Sequence, residues 1–443
     1  MTALPAPAQA VRPPRRRAAR APAAQRGALR GVATVPVVLL LLLGLGILGL
    51  YANRGLVFEQ RTAANQARST QAFEVAEAGL EWAGAMLNAV AAIGTDCQPD
   101  TAQTQAFRDR FLSFDATTGN VAPRADSANT GASLRAACVF TAAGLRCSCP
   151  ASGFPSFGAD AIGENFLVTF EAPSPARPGV VRLTVTGCTS TGVADKDPTC
   201  LPGGGGRSDA RARVTALHAL LPLLGSAPAA PVTLVGNVTW QGSGAAVGVY
   251  NTDAATQGVT IRAGGAVDAS KARVTSMPGT PAANSIVAND STLSTLSPQA
   301  LFTSFFGMGR EAWRSLATKV LCVGNCTADL AAAATGGAQA IWVEGDLELQ
   351  GNAVIGTTDR PVVIVVNGRM TMRGTANING LVYASDWDNS GGGSALLRGA
   401  AVSEAGFTAN GSADFYFDPL VLQRLTRGGS GAFVRLPGSW RDF

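Results

Sequence analysis

Apolar positions follow three different spacings along this chain. Residues 31–52 contain no charged side chain. A run of 22 residues is long enough to cross a hydrocarbon core of about 30 Å as a helix. Beyond it, Leu56, Ala63, Ala67, Phe73, Ala76, Leu80, Ala83, Leu87 and Val90 recur mostly three or four residues apart. That spacing predicts an amphipathic helix. Glu59, Arg61, Arg68, Glu74, Glu77 and Glu81 mostly occupy its other faces. Run and stripe read as one helix of about 60 residues, half in lipid and half on a soluble domain.

The second spacing has period two. Residues 165–171, 180–188 and 210–220 alternate as half-buried strands do, and the turn at 173–179 joins the first two. The glycines at 203–206 form a loop before the third strand. From about residue 231 the third pattern begins. Leu234-Val235-Gly236-Asn237-Val238-Thr239-Trp240 resembles Val343-Glu344-Gly345-Asp346-Leu347-Glu348-Leu349, and related units occur at 258–264, 367–374 and 395–399. Short strands ended by Gly or Asn, spaced 22 to 25 residues apart where consecutive, suggest coils of a β-solenoid; a β-sandwich is the rival. Ser297 with Pro298 opens a helical insertion near 295–335. Its aromatic stripe, Phe302, Phe305, Phe306 and Trp313, reads as core packing.

Composition sharpens this picture. Of the 443 residues, 47% are hydrophobic and 15% charged, and 52 are Gly; a typical domain has about 25% charged residues. The balance suits a turn-rich β protein and excludes global disorder. The net charge of +5 belongs to the first 30 residues, which hold seven Arg and no acid. The remaining 28 basic and 30 acidic residues give no nucleic-acid-binding surface as a whole. Basic residues ahead of the apolar run keep residues 1–30 cytoplasmic and send the body across the membrane. A cleaved secretory signal needs a shorter apolar core and a small-x-small site, and Asn53-Arg54-Gly55-Leu56 offers none. Gly44, Gly46 and Gly49 match a dinucleotide fingerprint by letter, but no strand precedes them; helix packing in the membrane is the better reading.

Chemistry is sparse. His218 is the single histidine, which argues against a His-based triad or a multi-His metal centre; in its apolar strand it reads as a satisfied structural residue. Eight cysteines in a translocated chain read as disulfides: Cys97, Cys138, Cys147, Cys149, Cys188, Cys200, Cys322 and Cys326. The first six allow fifteen pairings. Local loop closure favours Cys188–Cys200 and Cys322–Cys326. Cys147-x-Cys149 is too tight for a zinc knuckle. Asp386-Trp387-Asp388 begins like a calcium loop, but Leu397 stands where the twelfth-position acid belongs. Asp346, Asp359, Asp386 and Asp388 form no fixed pair for glycoside cleavage, and no phosphate loop or hydrolase motif occurs. The chain reads as a non-enzyme with no metal or other cofactor.

The basic leader ending in Gly31, the apolar run, and the continuous helix with Phe58-Glu59-Gln60-Arg61 and Ala76-Glu77-Ala78-Gly79-Leu80-Glu81 resemble PilX-type minor pilins of type IV pili. The resemblance implies cleavage by prepilin peptidase between Gly31 and Val32, with Val32 methylated. It implies an α+β fold: a long transmembrane and amphipathic helix packed on a pilin-like antiparallel sheet, followed here by a mainly-β, solenoid-like domain. The boundaries expected are a leader at 1–31, the helix at 32–94, the disulfide-bonded module at 95–230, the solenoid-like domain at 231–427 and a tail at 428–443. The tail resembles that of longer PilX-like proteins, as a cap on the last coil. Implied partners are other major and minor pilins through the helix, prepilin peptidase, the inner-membrane assembly platform, membrane lipid and a tip adhesin. Pro36 occupies the fifth mature position, where major pilins carry Glu. Loss of that acid suits a unique place, at the tip or in an initiating complex, because a buried ion without its partner costs several kcal/mol. The implied function is priming pilus assembly or forming its tip, in support of display, adhesion or twitching. The location is inner membrane, then extracellular pilus. Alternatives are a membrane-anchored solenoid binding module and a tip pseudopilin of type II secretion.

Overall fold

A computed structural model describes residues 34–157, 163–173, 175, 177–189, 210–240, 247–389, 393–409 and 412–442, without the side chains of residues 50, 52–57 and 389. By its contacts the chain divides into two units, Met1–Ala64 and Asn65–Phe443.

One helix spans Thr34–Asn88. In the first unit its apolar side chains are open: Leu40 is 69% exposed, Leu48 69% and Tyr51 81%. Among the described residues no helix is long and apolar enough to cross a membrane.

In the second unit the helix buries Ala72, Val75, Ala76, Leu80, Ala83 and Leu87 against a six-stranded antiparallel sheet. Three of its strands are Asn165–Glu171, Val180–Cys188 and Arg211–Pro222, where period two places them. Their inner positions, Phe166, Val168, Phe170, Leu183, Val185, Val214 and Ala216, meet the helix in one core. Ala136–Thr141 and Gly144–Ser148 add a hairpin on one side. The stripe runs slightly differently from expectation. Ala63 and Ala67 are exposed, Ala72 and Val75 are buried, and the helix ends at Asn88, before Val90.

The sixth strand corrects the reading of the tail. Gly431–Arg435 does not cap an array of coils. It pairs antiparallel with Arg211–Pro222, Phe433 facing Leu220, and so completes the sheet around the helix. Everything between residues 222 and 431 is therefore inserted between two neighbouring strands.

Among the described residues, that insertion pairs its strands in parallel, along three ladders. The first runs, in spatial order, through Thr318–Leu321, Ala340–Glu344, Val362–Met372, Asn377–Asn389, Leu396–Ser403, Val232–Leu234, Ile261–Ala263 and Ile286–Val287. The second joins Leu347–Leu349 through the same two long strands to Phe407–Ala409 and Val238–Trp240. The third joins Val354–Ile355 through Asn377–Asn389 and Leu396–Ser403 to Asp414–Tyr416, Gly248–Tyr250 and Arg273–Thr275. Side chains from all three meet in one core, among them Ile341, Ile364, Met370, Trp387, Phe407, Phe415 and Val249.

Spatial order is not chain order. The last segments of the insertion lie beside its first, with Ala401 facing Val232, Phe407 facing Val238 and Asp414 facing Gly248. The expected even spacing also gives way. Thr318, Ile341 and Ile364 are 23 residues apart, but Gly380 meets Gly399 after 19 and Val232 meets Ile261 after 29. The repeated Gly-Asn or Gly-Asp is a corner between the first two ladders. There Asn237 Oδ1 accepts the Ala266 N–H at 2.8 Å and Asp346 Oδ1 the Arg369 N–H at 2.8 Å, so each corner side chain ties its segment to the next.

Two helices, Pro298–Phe306 and Arg310–Leu316, cover the outside of the first ladder. The expected single helix is broken at Gly307, which ends the first with φ of 69°. Ser297 Oγ accepts from the Ala300 N–H at 3.2 Å as its N-cap. Phe302, Phe306 and Trp313 are buried against Trp342, Val363, Val365 and Tyr383. Residues 362–366 are thus apolar without alternation because both their faces are covered.

Candidate functional site

The candidate site is the helix within Asn65–Phe443 and the groups that fix it to the sheet. Contact is close because both surfaces use small residues. A Cβ on Gly187 would lie 2.2 Å from the Ala72 carbonyl oxygen and 2.6 Å from the Ala76 nitrogen; one on Gly79 would lie 2.7 Å from the Phe166 ring. Trp82 packs on Phe107 and Phe166 at 5.4 and 5.5 Å, and Phe73 meets Trp440 of the tail edge-on at 6.0 Å. Gln71 bonds Glu164, and Arg435 pairs with Glu81 at 2.8 Å.

The helix also closes an open sheet edge. Asn88 Nδ2 donates to the Phe433 carbonyl at 2.9 Å, and its Oδ1 accepts the Phe433 N–H at 2.7 Å. One amide side chain thereby takes the place of a further strand. Arg108, 7% exposed, donates to the Gly429 and Gly431 carbonyls. Burial lowers its pKa, with Asp109 acting the other way. Arg110, also buried, donates to the carbonyls of Ile93, Gly94 and Cys149, which gathers the loop after the helix. Neither arginine stood out in the sequence, because a buried guanidinium serving carbonyls has no local pattern.

Among the described residues, disulfides join Cys97 to Cys149, Cys138 to Cys147 and Cys322 to Cys326. Cys188 is also disulfide-bonded; Cys200 lies outside the described residues, as do Gly31 and Val32. Pro36 lies within the helix, exposed.

His218 is 4% exposed on the strand next to Arg435, near Gly84 of the helix. Burial lowers its pKa and Arg435 adds to this, against Ala216 and Glu81. Asp386 and Asp388 do not form a loop. They lie in Asn377–Asn389 and face Arg369 at 3.2 and 3.9 Å. Asp359 pairs with Arg424 at 3.0 Å, and Asp346 serves its corner. Among the described residues no group of three or more His, Cys, Asp or Glu is placed to hold a metal.

Residues 30–81 match the family model described as PilX N-terminal. No curated protein matches the chain. Among solved structures it is similar to the competence-associated pilin ComZ from Thermus thermophilus, at 13% identity and a TM-score of 0.21, over 85% of this chain and 97% of that one. A likeness at that level carries no argument. The match takes in most of the helix Thr34–Asn88, so residues 30–81 of this chain are similar to the N-terminal region of PilX-type pilins.

Proposed function

We propose that the protein is a minor pilin of a type IV pilus, a structural and assembly subunit that primes the filament or sits at its tip. The observation that carries this reading is the PilX N-terminal match at residues 30–81. In this reading the 22 charge-free residues park in the inner membrane until prepilin peptidase cuts after Gly31. The helix then exchanges lipid for the helices of other pilins. Apolar surface this extensive is rare on a soluble monomer, and a bundle or a bilayer accounts for it. The parallel array is a β-solenoid, displayed where a shaft lattice need not accommodate it. Pro36 at the fifth mature position supports a unique place. No chemical step is assigned to the chain.

The test is the N-terminal residue of membrane-extracted protein, by mass spectrometry. A methylated Val32 is expected, and Gly31→Ala is expected to abolish both cleavage and piliation. An intact Met1, or a cut beyond residue 50, overturns the reading. Loss of exoprotein release with normal pili, on deletion, reassigns the subunit to type II secretion.

A further inference from the structure

The face of the six-stranded sheet turned away from the helix carries a second feature, independent of the pilus reading. Inner positions such as Phe170, Leu183 and Val214 face the helix, so alternation turns Glu171, Arg182, Arg213 and Thr215 outward. There a cleft of about 470 Å³ is lined by Arg177, Arg182, Arg213 and Arg441 around Glu171, with the 436–439 turn as a wall. Glu171 lies 3.7 Å from Arg182 and 3.6 Å from Arg213, longer than the roughly 2.7–2.9 Å of a charge-assisted hydrogen bond. Among the described lining residues Glu171 is the one carboxylate, and it closes tightly on neither Arg182 nor Arg213. Thr215 and Ser439 add hydroxyl groups to the lining. Asp442 follows in the tail but does not line the cleft.

We propose that this cleft binds a phosphate group. Guanidinium forks match phosphate oxygens two at a time. A dianion offers negative charge where Arg177, Arg182 and Arg213 outnumber Glu171 among the described lining residues. The cleft, about 470 Å³, has room for a phosphate with an ester substituent. Free phosphate and the phosphate ester of a lipid or glycan headgroup share this chemistry.

The probes are inorganic phosphate and glycerol 3-phosphate, titrated into full-length protein in uncharged detergent at low salt and followed by phosphorus NMR line broadening. Saturable binding that weakens with salt is expected. Tighter binding of the ester assigns an esterified ligand, and equal binding assigns phosphate itself. Arg182→Glu with Arg213→Glu is expected to weaken binding at least tenfold. Glu171→Gln removes the competing carboxylate and is expected to strengthen binding several-fold. That gain decides the matter even where the double variant folds poorly. Absence of broadening, or binding indifferent to Glu171→Gln, overturns the proposal.

Discussion

The antiparallel sheet and the parallel array solve the same burial problem in opposite ways. The sheet buries one face only, under a helix brought close by Ala72, Ala76, Gly79 and Gly187. Its outer face stays polar at Glu171, Arg182 and Arg213. The array covers both faces of its first ladder, with its own core inside and the two aromatic-bearing helices outside. The sheet therefore depends on small residues that allow close approach. The array depends on large ones that fill volume, such as the stacked Trp387 and Phe407 at 5.6 Å. Substitutions of opposite kind should break the two regions.

Removing volume from the array should cost most. Trp387→Ala is expected to destabilise by about 3–5 kcal/mol, as large-to-alanine core changes do. Hydrogen exchange in Val180–Cys188 then tells whether the sheet opens with the array, as expected if the Gly431–Arg435 strand ties them together. Adding volume to the sheet should come next. Gly187→Val sets a side chain against helix backbone and should cost about 1–3 kcal/mol or more, seen as new protease cleavage within residues 65–88. Asn88→Ala leaves the Phe433 N–H and carbonyl without their partner. The cost should be about 1–3 kcal/mol, with edge-to-edge association visible by size-exclusion chromatography.

Mild acid should act on the sheet through His218. His218 binds its proton less readily when folded than at its ordinary value of 6.5. The unfolded chain takes up more protons below that value, so stability is full above pH 6.5 and declines as pH falls beneath it. Thermal melts of His218→Phe should show a flatter acid limb. The smallest effect should come from Arg435→Ala. Its partner Glu81 is 74% exposed, and surface pairs contribute about 0–1 kcal/mol. A shift in melting temperature beyond a few degrees would show the pair to be less solvent-screened than that.

Local patterns in the sequence revealed local features. Period two located Asn165–Glu171 and Val180–Cys188, the three-four stripe located Ala76, Leu80, Ala83 and Leu87, and Ser297 with Pro298 located a helix start. The hairpin at 136–148 was missed because Gly144–Ser148 is an exposed edge with no apolar alternation. Non-local features left little trace. Nothing near Phe433 announces a partner at Leu220, or near Ala401 one at Val232. Asn88, Arg108 and Arg110 were silent for the same reason: their partners are backbone carbonyls and amides, which every residue has.

The insertion begins and ends on adjacent strands, and its first and last segments face each other at Ala401 and Val232. A pull transmitted from the sheet therefore enters the array at an interior level, through two chains side by side. Neither terminal strand of the stack, Thr318–Leu321 nor Ile286–Val287, lies on the line of tension. Peeling from an end, the easiest mechanical failure of a stacked parallel array, is removed by where the chain is tethered.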